Sequence, residues 1–264
     1  MWISSTDQMG HIIELAAPPS RIVSLVPSQT EFLFNIGLDK EIVGVTKFCI
    51  HPADKVKGVT KVGGTKNFNI EKILSLQPDL IIGNKEENVE EGIVELKKHV
   101  PVWMSDIVTL EDAFKMMTEV SRITNRETEG MALITEVNNR FKKWTPIAGN
   151  KTVAYFIWYN PLMVAAGDTF IHQMLELFGL RNVFENQSRY PEVLAATLSE
   201  LSPDYIFLSS EPYPYGTKHV DEFQSLVPSA KVMIVDGEMF SWYGSRLRYV
   251  PDYWLTVNGE PFNS

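Results

Sequence analysis

The chain has 264 residues, enough for one large domain or for two lobes that each hold a core. It is 44% apolar and 22% charged, and its net charge of −9 with no basic run argues against nucleic acid or an anionic membrane as partner. The single cysteine, Cys49, rules out an internal disulfide and a multi-cysteine metal site, and no apolar run approaches the ~18 residues of a membrane span.

The opening MWISSTDQMGHIIEL lacks the basic segment, apolar segment and small-residue cleavage site of a secretory signal, which leaves periplasmic and cytoplasmic locations both open. Ile12 to Leu15 reads as a short edge strand before Pro18-Pro19. RIVSLV (Arg21 to Val26) is β-branched and apolar, as in a buried parallel strand. SQTE (Ser28 to Glu31) has the spacing of a capping box and predicts a helix from Thr30 to Ile36, stopped by Gly37. EIVGVT is the next strand. The loop KVGGTKNFN, the helix IEKILSL and the strand DLIIG (Asp79 to Gly83) follow, then the loop NKEEN, a helix to Lys98 and the strand VPVWM (Val100 to Met104). Strands alternating with helices predict a mainly parallel sheet flanked by helices, with ligands off the carboxyl ends of its strands.

Between Thr109 and Trp144, apolar residues recur at Leu110, Ala113, Met117, Val120 and Ile123, then at Met131, Ile134, Val137, Phe141 and Trp144. That spacing predicts two amphipathic helices, capped by Thr109 and Asp112 and meeting at Asn125, which tolerates a left-handed conformation. The second, Arg126 to Trp144, would span roughly 28 Å and end at Pro146 and Gly149.

The rest of the chain repeats the first part. LSLQPDLIIGNKE matches LSELSPDYIFLSSEP, with Pro78 and Pro203 125 positions apart. EFLFNIGL (Glu31 to Leu38) resembles QMLELFGL (Gln173 to Leu180), and VPVWMSD resembles KVMIVDG. Three matches in one order predict two α/β lobes, residues 1–108 and 146–264, joined by a helical segment, 109–145, that acts as a stiff strut with small hinge motion. Such a layout suggests a binding protein.

The residues DQMGHIIELAAPPSRIVSLVPSQTEFLFNIGL, VGVTKFCIHP and KVGGTKNFNIEKILSLQPDLII, with the central helix, resemble class III substrate-binding proteins of ABC importers. The similarity runs from about Asp7 to Arg246. It implies two α/β lobes, each a mainly parallel sheet flanked by helices, joined by one long backbone helix with the ligand between them. GGTKNFN, NKEEN, RYPEV, EPYPYG and SWYGSR are most similar to a branch called cobalamin-binding or helical-backbone metal receptors. The resemblance implies a monomeric, non-catalytic receptor that needs no cofactor, takes cobalamin, haem or a ferric siderophore as ligand, and delivers it to a permease. It also implies one docking glutamate per lobe: Glu71 matches the first, whereas the chain has Ala196-Thr197 where the second belongs, with Glu192 and Glu200 out of register.

The strand-end loops supply the candidate ligand-binding residues. They are Ser28, Gln29, Phe48, Thr65, Lys66, Asn67, Asn84, Lys85, Glu86 and Glu87 in the first half. In the second they are Trp158, Tyr159, Asn160, Arg189, Tyr190, Glu211, Tyr213, Tyr215, Trp242, Tyr243 and Arg246. Aromatic faces beside a few charged groups suit a large, flat, partly polar ligand, and the arginines suit a two-point grip on its carboxylates. Each has a plainer role available: Ser28 and Glu31 as a helix cap, Trp158 as core, PYPY as a stiff surface loop, Lys85 to Glu91 as a solvated helix start. Cys49 and His51 flank Ile50 and would point the same way on an extended chain, a weak hint of metal binding. His172 reads as a packing residue, and His11, His99 and His219 show no metal spacing. Two other readings stay open, a cytosolic corrinoid or metabolite receptor of the same fold without a transporter, and an enzyme. Against the enzyme, the sequence has no nucleophile elbow, phosphate loop or metal-ligand cluster.

Overall fold

The computed structural model describes residues 2–146, 149 and 151–257, so the end of the expected 146–264 lobe lies outside the described residues. An antiparallel hairpin, β1 (Ile3–Thr6) and β2 (Ile12–Leu15), comes first as a separate two-stranded sheet. The elements β3 (Ile22–Ser24), α1 (Pro27–Asn35), β4 (Ile42–Val45), α2 (Ala53–Val56), β5 (Thr60–Lys61) and α3 (Ile70–Ser75) follow. After them come β6 (Leu80–Asn84), α4 (Glu90–Lys97) and β7 (Val102–Ser105). Their five strands form one parallel sheet in the order β5-β4-β3-β6-β7. β3 and β6 are buried on both faces, as their unbroken apolar runs require. The hairpin covers the β7 edge: the buried Asp7 carboxylate accepts from the Met104 N–H at 3.3 Å, and Gln8 N–H donates to the Met104 carbonyl at 3.0 Å.

Helices α5 (Leu110–Ile123) and α6 (Glu127–Lys142) come next. Asn125 has φ +56°, and Arg126 N–H reaches back to the Ser121 carbonyl at 2.8 Å, so α5 ends in the left-handed cap its sequence predicts. At the start of α5 the Leu110 N–H donates to the side chain of Gln173. The buried face of α6 is Gly130, Leu133 and Val137, while Met131, expected on that stripe, is exposed. Close crossing explains the shift: a Cβ on Gly130 would stand 1.9 Å from Ser121 Oγ of α5. At 16 residues α6 is about 24 Å long, shorter than predicted.

The remaining elements are β8 (Thr152–Trp158), β9 (Met163–Val164), α7 (Phe170–Phe178), β10 (Arg181–Asn182), α8 (Ala195–Leu201), β11 (Tyr205–Ser209) and α9 (Thr217–Leu226). Then β12 (Lys231–Val235), α10 (Glu238–Ser241), a 3-10 turn (Ser245–Tyr249) and α11 (Val250–Thr256) close the described chain. A second parallel sheet runs β10-β8-β11-β12, with β9 antiparallel on β8. Helix α7 ends as α1 does. Gly37 and Gly179 have φ +84° and +94°, and the following leucines bond back five residues, Leu38 N–H to Leu33 O and Leu180 N–H to Leu175 O. The Pro-Asp repeat is also used twice in one way. Asp79 accepts from the Ser20 and Arg21 N–H groups ahead of β3, and Asp204 accepts from the Thr152 N–H at the start of β8. Each carboxylate thus pins the amino end of the neighbouring strand.

By compactness the chain divides into two units. The first holds residues up to Ile107, Glu111–Asn139 and Tyr243–Arg246; the second holds Val108–Leu110, Arg140–Trp242 and the chain from Leu247 on. Tyr243 to Arg246 therefore pack with the first unit, against α1. Glu31 and Arg246 form a buried two-point ion pair, with Nε to Oε2 and Nη2 to Oε1 both at 2.9 Å. The SQTE capping box is not made. The helix begins at Pro27, which places Ser28 inside the first turn, and Glu31 turns to Arg246 instead.

Two outcomes follow for urea unfolding. Arg246→Met or Glu31→Gln alone, leaving one charge buried, costs about 3–5 kcal/mol, and a doubly apolar replacement costs less than either. Asp204 is held down to about 2, chiefly by the Thr152 N–H. Its depressed value means that its stabilisation is present above the ordinary carboxylate range and disappears as pH falls through about 2. Asp204→Asn therefore lowers stability at pH 7 by roughly 1 kcal/mol, screened by its exposure, and the difference from wild type closes toward pH 2.

Candidate functional site

In each parallel sheet the strand order reverses once, between β3 and β6 in the first unit and between β8 and β11 in the second. Loops leaving the carboxyl ends of strands at such a reversal diverge and leave room for a ligand. Of the predicted residues, Lys85, Glu86, Glu87, Tyr159, Asn160, Glu211, Tyr213 and Tyr215 fall on these loops.

In the first unit, polar side chains set the backbone of these loops. Asn84, at the end of β6, accepts from the Glu86 and Glu87 N–H groups at 2.8 and 3.1 Å and donates to Ser105 Oγ at 2.9 Å. Asn88 accepts from the Asn84 N–H at 2.8 Å and donates to the Thr65 carbonyl at 3.0 Å, tying NKEEN to GGTKNFN. Within the latter, Gly63 has φ +118° and a Cβ there would lie 2.8 Å from the Asn67 carbonyl, so only glycine lets the loop close. Phe48, Lys66, Asn67 and Lys85 are exposed at the surface of these loops, and Thr65, Glu86 and Glu87 are half-buried. Lys47 Nζ sits 5.0 Å from the Phe48 ring centre, Lys66 donates to the Glu86 carbonyl, and Lys85 pairs with Asp106 at 2.6 Å. Ser28, Gln29, Asn84, Tyr243 and Arg246 lie together as the buried base beneath the loops, 8% exposed or less. The Tyr243 hydroxyl adjoins those of Ser28 and Ser105, and burial drives its pKa well up.

The second unit's reversal is aromatic. Tyr159 and Tyr213 stack with centroids 5.6 Å apart, and Trp158 meets Tyr213 edge-on at 5.7 Å. Trp158 keeps 39% of its surface exposed, Tyr159 and Tyr213 are half-buried, and Tyr215 is buried behind them, donating its hydroxyl to the Trp158 carbonyl at 2.8 Å. Two α9 residues that sequence reasoning passed over hold this cluster. The Gly216 N–H donates to His219 Nδ1 at 2.9 Å, which leaves Nε2 to carry the proton toward the Tyr213 hydroxyl at 3.2 Å. One helical turn on, Glu222 accepts from the Tyr159 hydroxyl at 2.7 Å, and that bond raises the Tyr159 pKa. A His and a Glu three apart just after a Tyr-Pro-Tyr loop was the available signal.

Glu211 lies half-buried in the same loop. Its Oε1 accepts from Ser241 Oγ at 3.0 Å and from the Trp242 indole at 2.7 Å, and burial raises its pKa. Trp242 is itself buried. Arg189 and Tyr190 are half-buried on the segment beside β9, with the Arg189 N–H on the Asp168 carboxylate. Asn160 is exposed. Cys49 points into the core with Thr30 and Thr46 hydroxyls at 3.1 and 3.2 Å, and burial raises its pKa, so it does not share a direction with the half-buried His51. His172 Nε2 stands 3.5 Å from Glu176. Among the described residues no three His, Cys, Asp or Glu side chains gather as a metal site.

Comparison with known proteins agrees with this architecture. The model of the periplasmic binding protein family matches residues 22–229, and the chain belongs to that family; it is a binding protein rather than an enzyme. Its fold is that of the class III members. Relatives include an uncharacterized ABC transporter substrate-binding lipoprotein, YvrC, of Bacillus subtilis, 25% identical over 93% of this chain and 82% of that protein. The vitamin B12-binding protein of Pectobacterium carotovorum is 24% identical over 88% of this chain and 85% of its own. Among solved structures, a petrobactin-binding protein of Bacillus subtilis superposes with a TM-score of 0.81 at 18% identity, covering 97% of each chain. A periplasmic heme-binding protein of Pseudomonas aeruginosa superposes with a TM-score of 0.80 at 19% identity, covering 92% of this chain and 94% of its own. At such identities the structures establish the fold alone.

His219→Ala removes the ring that buttresses three tyrosines; it should destabilise the second unit by about 2–4 kcal/mol and erase much of the near-ultraviolet circular dichroism of the cluster. Glu222→Ala should keep the fold to within about 1 kcal/mol and lower the titration of the Tyr159 hydroxyl toward the ordinary value, read by ultraviolet absorbance.

Proposed function

We propose that this protein is the substrate-binding component of an ABC importer, acting as a monomer, and that it captures a metal chelate or corrinoid of the cobalamin, haem or ferric-siderophore kind on its strand-end loops. The observation that carries the reading is the aromatic cluster of Trp158, Tyr159 and Tyr213 at the strand reversal of the second unit, braced from behind by His219 and Glu222. Flat faces fixed in advance lose little freedom when a macrocycle or chelate stacks on them. Phe48, Lys66 and Asn67 are exposed on the strand-end loops of the first unit.

Docking on the permease falls to Glu71, exposed on the first turn of α3, which Asn69 caps through the Lys72 N–H at 2.8 Å. Helix α8 carries exposed Ala196 and half-buried Thr197 where a second acidic residue is expected, and this favours a second reading, a receptor of the same fold that serves no transporter.

Titration with cobalamin, hemin and ferric siderophores tests the reading. One of them should bind with a dissociation constant of about 1 μM or tighter, and Trp158→Ala should weaken it by tenfold or more. Saturation by none of the three would reject it. Glu71→Ala should leave affinity unchanged and lower uptake; unchanged uptake would favour the second reading.

A further inference from the structure

The loops at the carboxyl ends of β8, β11 and β12, residues 159–162, 210–216 and 236–242, contain no lysine, arginine or histidine, and they carry Glu211, Asp236 and Glu238. Exposed Glu192 stands at the same end, bridged to Met163, whose strand partner is Trp158. Of the arginines in this part of the chain, Arg189 gives its N–H to the Asp168 carboxylate and its charge helps to lower that carboxyl's pKa. The guanidinium of Arg246 is paired with Glu31 in the first unit, and that of Arg248 lies 5.5 Å from the Tyr249 ring.

Glu211 is the best placed of the carboxylates. Two donors fix its Oε1, and a Cβ on Gly237 would stand 2.6 Å from its Cγ, so the glycine lets the side chain tuck in beside the aromatic loop. Its Oε2 receives no hydrogen bond from the described residues. A carboxyl held at one oxygen and without a hydrogen bond at the other is an oriented acceptor for an N–H donor. With Asp236 and Glu238 as the charges acting on it, it disfavours a second carboxylate. Lys218 and His219 follow on α9, where His219 has both ring nitrogens engaged.

We propose that Glu211 is a specificity-determining residue, and that the ligand surface meeting the second unit carries N–H donors or positive charge instead of carboxylates. Two sources fit this chemistry, a corrinoid rimmed with amides and a hydroxamate chelate bearing a free ammonium. Haem, with its two propionates, does not. The inference rests on the function proposed above and narrows its ligand.

The test is calorimetric titration of the full chain with cyanocobalamin, ferrioxamine B and hemin. At least one of the first two should bind tenfold or more tightly than hemin, and Glu211→Gln should weaken that ligand about five- to tenfold. Glu192→Lys, an exposed change that leaves the core alone, should weaken ferrioxamine B more than cobalamin, because only the former carries a net charge, and should strengthen hemin. Hemin binding tightest, equal binding of all three, or Glu211→Gln leaving affinity unchanged would overturn the inference while leaving the receptor reading intact. Binding of none would remove both.

Discussion

A buried guanidinium and a buried carboxylate, 215 positions apart in the chain, hold the base of the first unit. Neither Glu31 nor Arg246 retains enough water to be stable alone, so each makes the other's position obligatory. The pair clamps Tyr243 to Arg246 across α1, with Gly244 at φ +94° and only 3.2 Å between a Cβ there and Phe32 Cβ. Asn35 to Ser245 at 3.2 Å adds a second tie. Because α1 opens directly from β3, at the strand reversal, the loops above it start from a fixed platform. Their own conformations are then set by Asn84 and Asn88, each satisfying several backbone groups at once.

The two units solve the same backbone problem in the same way and then diverge at the surface. An aspartate after a proline pins the adjacent strand in both, a left-handed glycine stops the first helix in both, and β7 and β12 hold matching edge positions. At the reversal, the first unit is finished with amides and hydroxyls and the second with indole and phenol rings. This is the difference expected of one plan used twice for unlike tasks. The shared parts set strand order, and the unshared loops set what is recognised.

The repeat was legible because its signals are local. Pro-Asp before an apolar strand, Gly after a helix and Asn125 between two helices each act within a few residues, and each is found at work. Contacts between distant residues were not legible. Nothing in SQTE distinguishes a capping box from a glutamate reserved for Arg246, so the cap reading misplaced the start of α1. Met131 fits the helical period of α6, yet the small Gly130 draws α5 onto the neighbouring face and leaves Met131 outside. The same limit applied at the aromatic loops. Trp158, Tyr159 and Tyr213 stood out as residue types, whereas the His219 and Glu222 bonds that orient them depend on α9 folding back under its own preceding loop.

Charge then separates what the aromatic surface can take from what it repels, since rings alone accept any flat ligand. The direct measurement is a crystal structure of the chain with a bound chelate. The account predicts the macrocycle or chelate against the exposed faces of Trp158 and Tyr213, with a donor group of the ligand on Glu211 Oε2. A ligand seated elsewhere, with those rings untouched, would contradict it.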